Sequence, residues 1–258
     1  MVRHAIVFAV AAAAALAARA DPFLVPRAEF WPSLKVVAVA PIGLPKDLAD
    51  PAVRRELQVE IERRLREAGL EVMGSEEVAA VTQATVKELG GPYDPMTGRL
   101  DAAKAATIDA EILGRLRAEL HADALVEPAV VSRYARLTKP GEKSLAHRLL
   151  GDLGAERALE WDGVAELVEP HLAQELFVGK VARANVPALS LWVRVVGTAG
   201  KPLYENLAGI QLVTRIEGMK LVSVPSGELL RDHDKNAEAV RRALDPLFQE
   251  PAAPSSGK

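Results

Sequence analysis

The sequence has 258 residues, of which 49% are hydrophobic, and its 32 basic and 35 acidic side chains give a formal net charge of −3. It contains no block rich in Lys or Arg, which argues against nucleic acid, because nucleic-acid binding requires a basic surface. The absence of cysteine excludes disulfides, thiolate metal sites and a cysteine nucleophile.

Residues 1–20 have the pattern of a cleaved secretory signal peptide. Arg3 and His4 precede an unbroken apolar run, and Ala18-Arg19-Ala20 fits a cleavage site. The run of about 14 apolar residues is shorter than the roughly 20 that span a bilayer. We therefore expect a periplasmic or secreted protein that has no transmembrane segment after cleavage. The sequence has no lipobox cysteine to which a lipid could be attached. A disulfide-free exported chain suits a bacterial periplasm.

The first half of the remaining chain alternates strand and helix patterns. After an N-terminal extension over 21–34, the β-branched run at 35–42 predicts a buried strand. Asp50 and Pro51 fit the cap and first position of a long helix that ends at Gly69. Further patterns predict a strand at 70–73, a helix at 75–89, a helix capped by Asp101 and a strand at 124–134.

The second half predicts a hairpin and a final helix. Residues 188–196 alternate apolar and polar side chains, and the turn at 197–200 leads into a returning strand at 203–213. A short strand at 221–224 and a helix capped by Asp234 follow. We interpret 35–249 as one α/β (α+β) domain, with an insertion or flap at 137–185 and a disordered tail at 250–258. Its expected architecture is a mixed sheet of about five or six strands with helices packed against it, including the C-terminal helix.

The loop GGPYDPMTGRLD, residues 90–101, has oxygen-bearing side chains and requires a choice between two roles. Counted from Asp94, the ligand spacing of a calcium-binding EF-hand fails, because the third position is Met96 and the glycine stands fifth. The sequence Asp94-Pro95-Met96-Thr97-Gly98 instead fits a turn. The alternative is a binding surface formed by Tyr93, Asp94 and Thr97, because loops often carry function.

Motifs of catalysis are absent from the sequence. We find no phosphate-binding GxxxxGK[ST] or GxGxxG motif, no GxSxG or HExxH motif and no SxxK with its partner motifs. His171 and Glu175 are four residues apart, with Glu169 nearby, and they are the weak candidates for a metal or hydrolase site. A solvated helix face is the simpler interpretation of this pair, and no cofactor is expected.

Trp192 and Tyr204 flank the predicted hairpin and are expected to be cross-strand neighbours. Sheet or core packing is the default role for such aromatic residues. The alternative is a face that binds a partner, because a further strand can extend an edge hairpin. Trp192 and Tyr204 therefore join the loop residues as candidate binding residues.

The segments KVVAVAPI, GLEVM, ADALVEPAVV and LSLWVRVVGTAGKPLYEN, separated by helical patterns, resemble the N-terminal domain of TolB and the periplasmic CsgG- and LpoB-type proteins. The resemblance covers residues 33–136 and 186–248. The segments GGPYDPMTG, WDGV, VPALSL and LYENLAGIQL further resemble an uncharacterised group of bacterial exported proteins. These resemblances imply an α/β domain with an assembly or accessory role in the cell envelope, and they bring no catalytic residues.

Together these observations favour a non-catalytic periplasmic accessory or assembly protein that binds a protein of the cell envelope. The hairpin of the second half and the 137–185 flap are its expected contact surface. Two alternatives stay open at this point. One is a periplasmic hydrolase or metal-dependent enzyme with a site assembled from His171, Glu169 and Glu175. The other is a protein that binds a small ligand in a cleft beside the sheet, which needs a pocket of several hundred Å³.

Overall fold

A computed structural model describes residues 22–30, 34–137, 158–161, 164–167, 185–217 and 220–248. The predicted signal peptide, the predicted tail and most of the predicted flap lie outside these residues. The helices are α1 Arg27–Phe30, α2 Pro51–Glu67, α3 Ser75–Leu89, α4 Ala102–Leu120 and α5 His233–Leu244. The strands are β1 Val36–Val39, β2 Glu71–Met73, β3 Ala124–Leu137, β4 Ala158–Trp161, β5 Val164–Leu167, β6 Asn185–Gly197, β7 Pro202–Leu212, β8 Thr214–Glu217 and β9 Lys220–Ser223.

The body of the fold is a mixed sheet of five strands in the order β2–β1–β3–β6–β7. β2, β1 and β3 are parallel, whereas β3, β6 and β7 are antiparallel. β4 and β5 form a hairpin attached to the far end of β3, at Arg136 and Leu137, and β8 pairs with β9 in a separate two-stranded sheet. The prediction of a single α/β domain with a mixed sheet and a C-terminal helix is confirmed.

Three of the described helices begin at aspartate residues that cap their first turn. The carboxylate of Asp50 accepts a 2.7 Å hydrogen bond from the backbone N–H of Ala52, and Asp101 accepts one from Lys104 at the start of α4. The prediction that Asp234 caps α5 is wrong. Asp232 is the cap, and its carboxylate accepts a hydrogen bond from the backbone N–H of Lys235. Each of these caps satisfies a backbone donor that the first turn of a helix leaves unpaired.

Helices cover the two faces of the sheet unequally. α2 and α5 pack against one face and form the larger buried cluster, which includes Leu57, Leu191 and Val240. α3 and α4 pack against the other face over β1 and the first part of β3, through residues such as Ile112 and Leu125. None of the described helices is long and apolar enough to cross a membrane.

The segment that precedes β1 is part of the core, which the sequence alone did not indicate. Phe23 forms an antiparallel bridge with Tyr204 of β7, and Leu24 donates a backbone hydrogen bond to Leu203. Phe30 is 1% exposed and lies within the larger cluster. The N-terminal extension therefore covers one end of β7, which is an edge strand of the main sheet.

Pro128 has an unexpected place, because proline normally lies in edge strands. It belongs to β3, which has neighbours on both sides. Its carbonyl accepts a 3.0 Å hydrogen bond from the backbone N–H of Gly43, on the side where β1 has already ended. The segment from Ala40 to Gly43 still bonds to β3 beside Pro128, at Val126 and Val130, so the missing N–H of proline removes one bond from an irregular part of the pairing.

Candidate functional site

The face of the main sheet that lies away from α2 and α5 is only partly covered by the described helices. The buried cluster under α3 and α4 includes Leu125 near the start of β3 and Val196 near the end of β6. It includes no residue from the rest of β3 or from the rest of β6. Beyond it, Ser190 of β6 on the same face is fully buried, whereas β3, β6 and β7 also carry a group of half-buried side chains there. We call this group the Trp192 face: Glu127, Ala129, Val131, Trp192, Arg194, Glu205 and Leu207.

Strand register arranges the Trp192 face in rows across the sheet. In one row Arg194 lies opposite Glu127 of β3 on one side and Glu205 of β7 on the other. The next row places Trp192 between Ala129 and Leu207. A charged row is thus followed directly by an apolar row with an aromatic residue at its centre.

The charged row is held by specific bonds. Nε of Arg194 donates to a carboxylate oxygen of Glu127 at 2.6 Å, and the Glu127 side chain is only 11% exposed. The guanidinium of Arg194 also lies 5.4 Å from the centre of the Trp192 ring, within the range of a cation–π contact. The indole Nε1 of Trp192 donates to Glu205 at 2.8 Å. These bonds fix the orientation of the indole.

Asp109 of α4 adds a further acidic group beside this row. Loss of solvation raises the pKa of the Asp109 carboxyl, and the positive charge of Arg194 partly offsets that rise. The Asp109 residue is exposed to solvent, so only its carboxyl group is partly shielded. The border between α4 and the Trp192 face is therefore acidic, with Arg194 as its counter-charge.

The structure separates the two aromatic residues that the sequence paired. Trp192 lies opposite Leu207, and Tyr204 lies opposite Val195, so the two rings project from opposite faces of the sheet. Tyr204 is fully buried, and its hydroxyl donates to the carbonyl of Ala243 in α5. The prediction that they are cross-strand neighbours is wrong, and Tyr204 is placed in the core.

The predicted turn at 94–98 is present. The carboxylate of Asp94 accepts hydrogen bonds from the backbone N–H groups of Met96 and Thr97, at 2.8 and 2.7 Å. These bonds lower the pKa of Asp94 because they stabilise its charged form. Tyr93 stays exposed and forms an antiparallel bridge with Leu100. Asp94 thus acts within its own loop, while Tyr93 faces solvent.

The candidate catalytic residues His171, Glu169 and Glu175 lie outside the described residues. Within the described ranges, no group of three or more His, Asp or Glu side chains is placed to hold a metal ion. A small apolar depression, lined by residues that include Phe30, Leu65, Val195 and Phe248, has room for about one water molecule. That volume is far below the several hundred Å³ that a small-ligand site needs.

Among the seven members of the Trp192 face, sequence reasoning proposed only Trp192 as a candidate and missed the three charged residues together with Ala129, Val131 and Leu207. Glu127, Arg194 and Glu205 each stand two residues from another member on its own strand, but they are far apart in the chain. The signal that was present is the opposite charge on strands expected to pair, since such cross-strand pairs stabilise sheets. Only the register of β3, β6 and β7 shows which of these charges meet.

No protein-family profile matches the sequence, and no curated protein matches it. A solved structure, that of lipoprotein GNA1162 from Neisseria meningitidis, is similar at 18% sequence identity with a TM-score of 0.31. The similarity covers 68% of this chain and 81% of that chain. A likeness of this degree assigns neither a family nor a function, so the function is argued from the residues themselves.

Proposed function

We propose that this protein is a non-catalytic accessory protein of the bacterial cell envelope, and that it binds a protein partner through the Trp192 face. Export rests on the signal-peptide pattern of residues 1–20. The observation that carries the proposal is the Trp192 face itself: a half-buried tryptophan, arginine and leucine on a part of the sheet where no described helix packs.

The chemistry of this face supports a protein partner over a small molecule. Tryptophan and arginine are enriched among the residues that dominate binding energy at protein interfaces. The bonds from Trp192 to Glu205 and from Arg194 to Glu127 hold both side chains in place. Preorganised side chains lower the entropic cost of association. A sheet surface of this kind suits a protein partner better than a small ligand, which needs a concave site.

Photo-crosslinking in the native envelope tests the proposal. A benzoylphenylalanine residue at Leu207, beside Trp192, is expected to capture one defined protein, and Trp192→Ala in the same chain is expected to reduce that product several-fold. The matched control carries the photo-reactive residue at Val59, a 58% exposed position on α2. Equal capture from both positions, or a product unchanged by Trp192→Ala, would remove the Trp192 face from the proposal.

A further inference from the structure

The first residues that the structure describes pair with the edge of β7. Residues 22–30, which we call the N-terminal strap, begin with Pro22, whose carbonyl accepts a 2.9 Å hydrogen bond from the backbone N–H of Glu205. The backbone N–H of Leu24 donates to the carbonyl of Leu203, also at 2.9 Å. Both bonds lie on the side of β7 that its ladder with β6 leaves free. The strap therefore covers part of an edge strand.

Aromatic packing fixes the strap against the core. The centre of the Phe23 ring lies 5.1 Å from that of Phe30 and 5.4 Å from that of Tyr204, both in edge-to-face arrangements. The guanidinium of Arg27 lies 4.5 Å from the centre of the Phe23 ring, within the range of a cation–π contact. Val25 and Phe30 belong to the larger buried cluster. The strap is therefore part of the folded body.

The predicted cleavage site of the signal peptide lies directly before the strap. Residues 18–20 fit cleavage after Ala20, so Asp21 alone separates this bond, which we call the processing site, from Pro22. Because consecutive Cα atoms are about 3.8 Å apart, the Cα atom of Ala20 lies within about 8 Å of that of Pro22. A peptidase has to contact residues on both sides of the bond that it cuts. While the strap is docked, β7 and the rings around Phe23 occupy the space that the enzyme needs.

We propose that docking of the N-terminal strap closes the processing site, so that residues 1–20 have to be removed before this last part of the fold forms. The inference rests on the export proposed above, because an exported chain meets a signal peptidase. Hydrolysis adds water to the peptide bond and leaves a carboxylate on Ala20 and an amino group on Asp21. A chain that is cut first can then dock its strap, whereas a chain that docks first keeps residues 1–20.

Docking of the strap also closes an edge that favours unwanted pairing. An uncovered edge strand offers unpaired N–H and C=O groups to which another chain can add a strand. In the folded protein the N–H of Glu205 and the carbonyl of Leu203 are paired with the strap. Phe30, at the end of the strap, is 1% exposed and fills part of the core. A chain whose strap stays undocked has both an open edge and an incomplete core, so early cleavage protects it from aggregation.

Cleavage of the purified, folded full chain by signal peptidase tests the inference. The unchanged chain should be cut slowly, because a protease reaches a docked segment only through its transiently open form. A flexible spacer of about six residues, inserted between Asp21 and Pro22, moves the processing site away from β7. The spacer begins with proline and continues with Gly and Ser, so the bond keeps its Asp-Pro neighbours. The spacer variant should be cut about tenfold faster or more.

A substitution in the strap gives a second measurement that needs no insertion. Phe23→Asp removes the ring that packs on Phe30 and Tyr204 and leaves residues 18–22 unchanged. It should undock the strap and raise the cleavage rate several-fold, because the open form becomes more populated. The matched control is Val59→Asp, the same new side chain at a 58% exposed position on α2, which should be cut at the rate of the unchanged chain.

The outcomes separate this inference from the export on which it rests. Equal cleavage rates for the unchanged chain and the spacer variant would overturn the role of the strap, whether both are cut rapidly or both resist. N-terminal sequencing of the protein from its native source tests export itself. A mature chain that begins at Asp21 supports export even where the strap has no effect, whereas a chain that still begins at Met1 would remove export and the strap inference together.

Discussion

The indole of Trp192 and the carboxylate of Glu205 are joined by a 2.8 Å hydrogen bond that crosses diagonally from β6 to β7. The residue directly opposite Trp192 is Leu207, and the residue directly opposite Glu205 is Arg194. Arg194 bonds instead to Glu127 on the other neighbouring strand. One diagonal bond and one direct bond thus link the three strands of the Trp192 face.

Removing the Glu205 carboxylate, which accepts the hydrogen bond of the Trp192 indole, should lower the free energy of unfolding only slightly. The loss should depend on whether the new side chain can accept a hydrogen bond. Glu205→Leu leaves the N–H of Trp192 without its partner, and because the ring is only half-buried we expect a loss of about 1 kcal/mol in the free energy of unfolding. Glu205→Gln keeps an acceptor oxygen and should stay within about 0.5 kcal/mol of the unchanged protein. Urea denaturation measures both, and equal effects would contradict the role of the bond.

Two tyrosines allow a matched test of the core. The Tyr204 hydroxyl donates to the carbonyl of Ala243 and accepts from the Asn206 side chain at 3.0 Å, which ties β7 to α5. Tyr204→Phe should lower the free energy of unfolding by about 1–2 kcal/mol, because buried polar groups lose a partner. Tyr134→Phe makes the same change at a 69% exposed site and should cost under about 0.5 kcal/mol. Similar losses in the two variants would show that the buried hydroxyl contributes nothing specific.

The pKa of Asp109 gives a prediction with a definite sign. Loss of solvation raises this pKa, so the folded state holds the proton more tightly than the unfolded state does. The resulting penalty is present above the folded pKa and disappears as the pH falls below the unfolded value of 3.8. Asp109→Asn should therefore raise the thermal midpoint slightly at pH 7, by an amount that corresponds to less than about 0.5 kcal/mol.

The same substitution should have no effect in acid, where Asp109 is protonated in both states. Thermal unfolding of both proteins across the pH range measures the difference. Arg194→Gln provides a second check, because loss of its charge should raise the pKa of Asp109 further, and NMR titration of the carboxyl would report that shift. A destabilised Asp109→Asn variant at pH 7 would contradict the assigned direction.

Local signals in the sequence were enough for much of the fold. Asp50 and Pro51 predicted the start of α2, and the residues from Asp94 to Gly98 predicted the turn in the loop between α3 and α4. These features depend on residues within a few positions of each other. The cap of α5 was placed two residues late because Asp232 and Asp234 are both good caps, and the choice between them depends on the preceding chain.

Long-range pairing explains what the sequence did not reveal. A shift of one residue in register reverses the face of every side chain in a strand. The β6–β7 ladder has irregularities at Leu189/Ser190 and Val195/Val196, so the face of Tyr204 relative to Trp192 was not readable from alternation alone. The pair between Glu127 and Arg194 joins residues 67 positions apart, beyond the range of any local pattern.

A histidine at the start of α5 should make stability depend on pH near neutrality. Nδ1 of His233 lies 2.7 Å from a carboxylate oxygen of Glu56 on α2. The hydrogen bond and charge of Glu56 raise the pKa of His233, lost solvation opposes part of that rise, and Asp232 and Asp234 add smaller increases. The bond therefore links two helices of the larger cluster when the imidazole is protonated.

The direction of this pH dependence follows from the raised pKa of His233. The stabilisation should be fully present below the unfolded value of 6.5 and should be lost as the pH rises through the higher folded value. His233→Gln should consequently lower the thermal midpoint at pH 5.5 and leave it unchanged at pH 9. The decrease at pH 5.5 should be modest because the imidazole is exposed. Glu56→Gln should remove the same pH dependence, and the double variant should show no further loss. A His233→Gln effect of equal size at both pH values would rule out the ion pair as its cause.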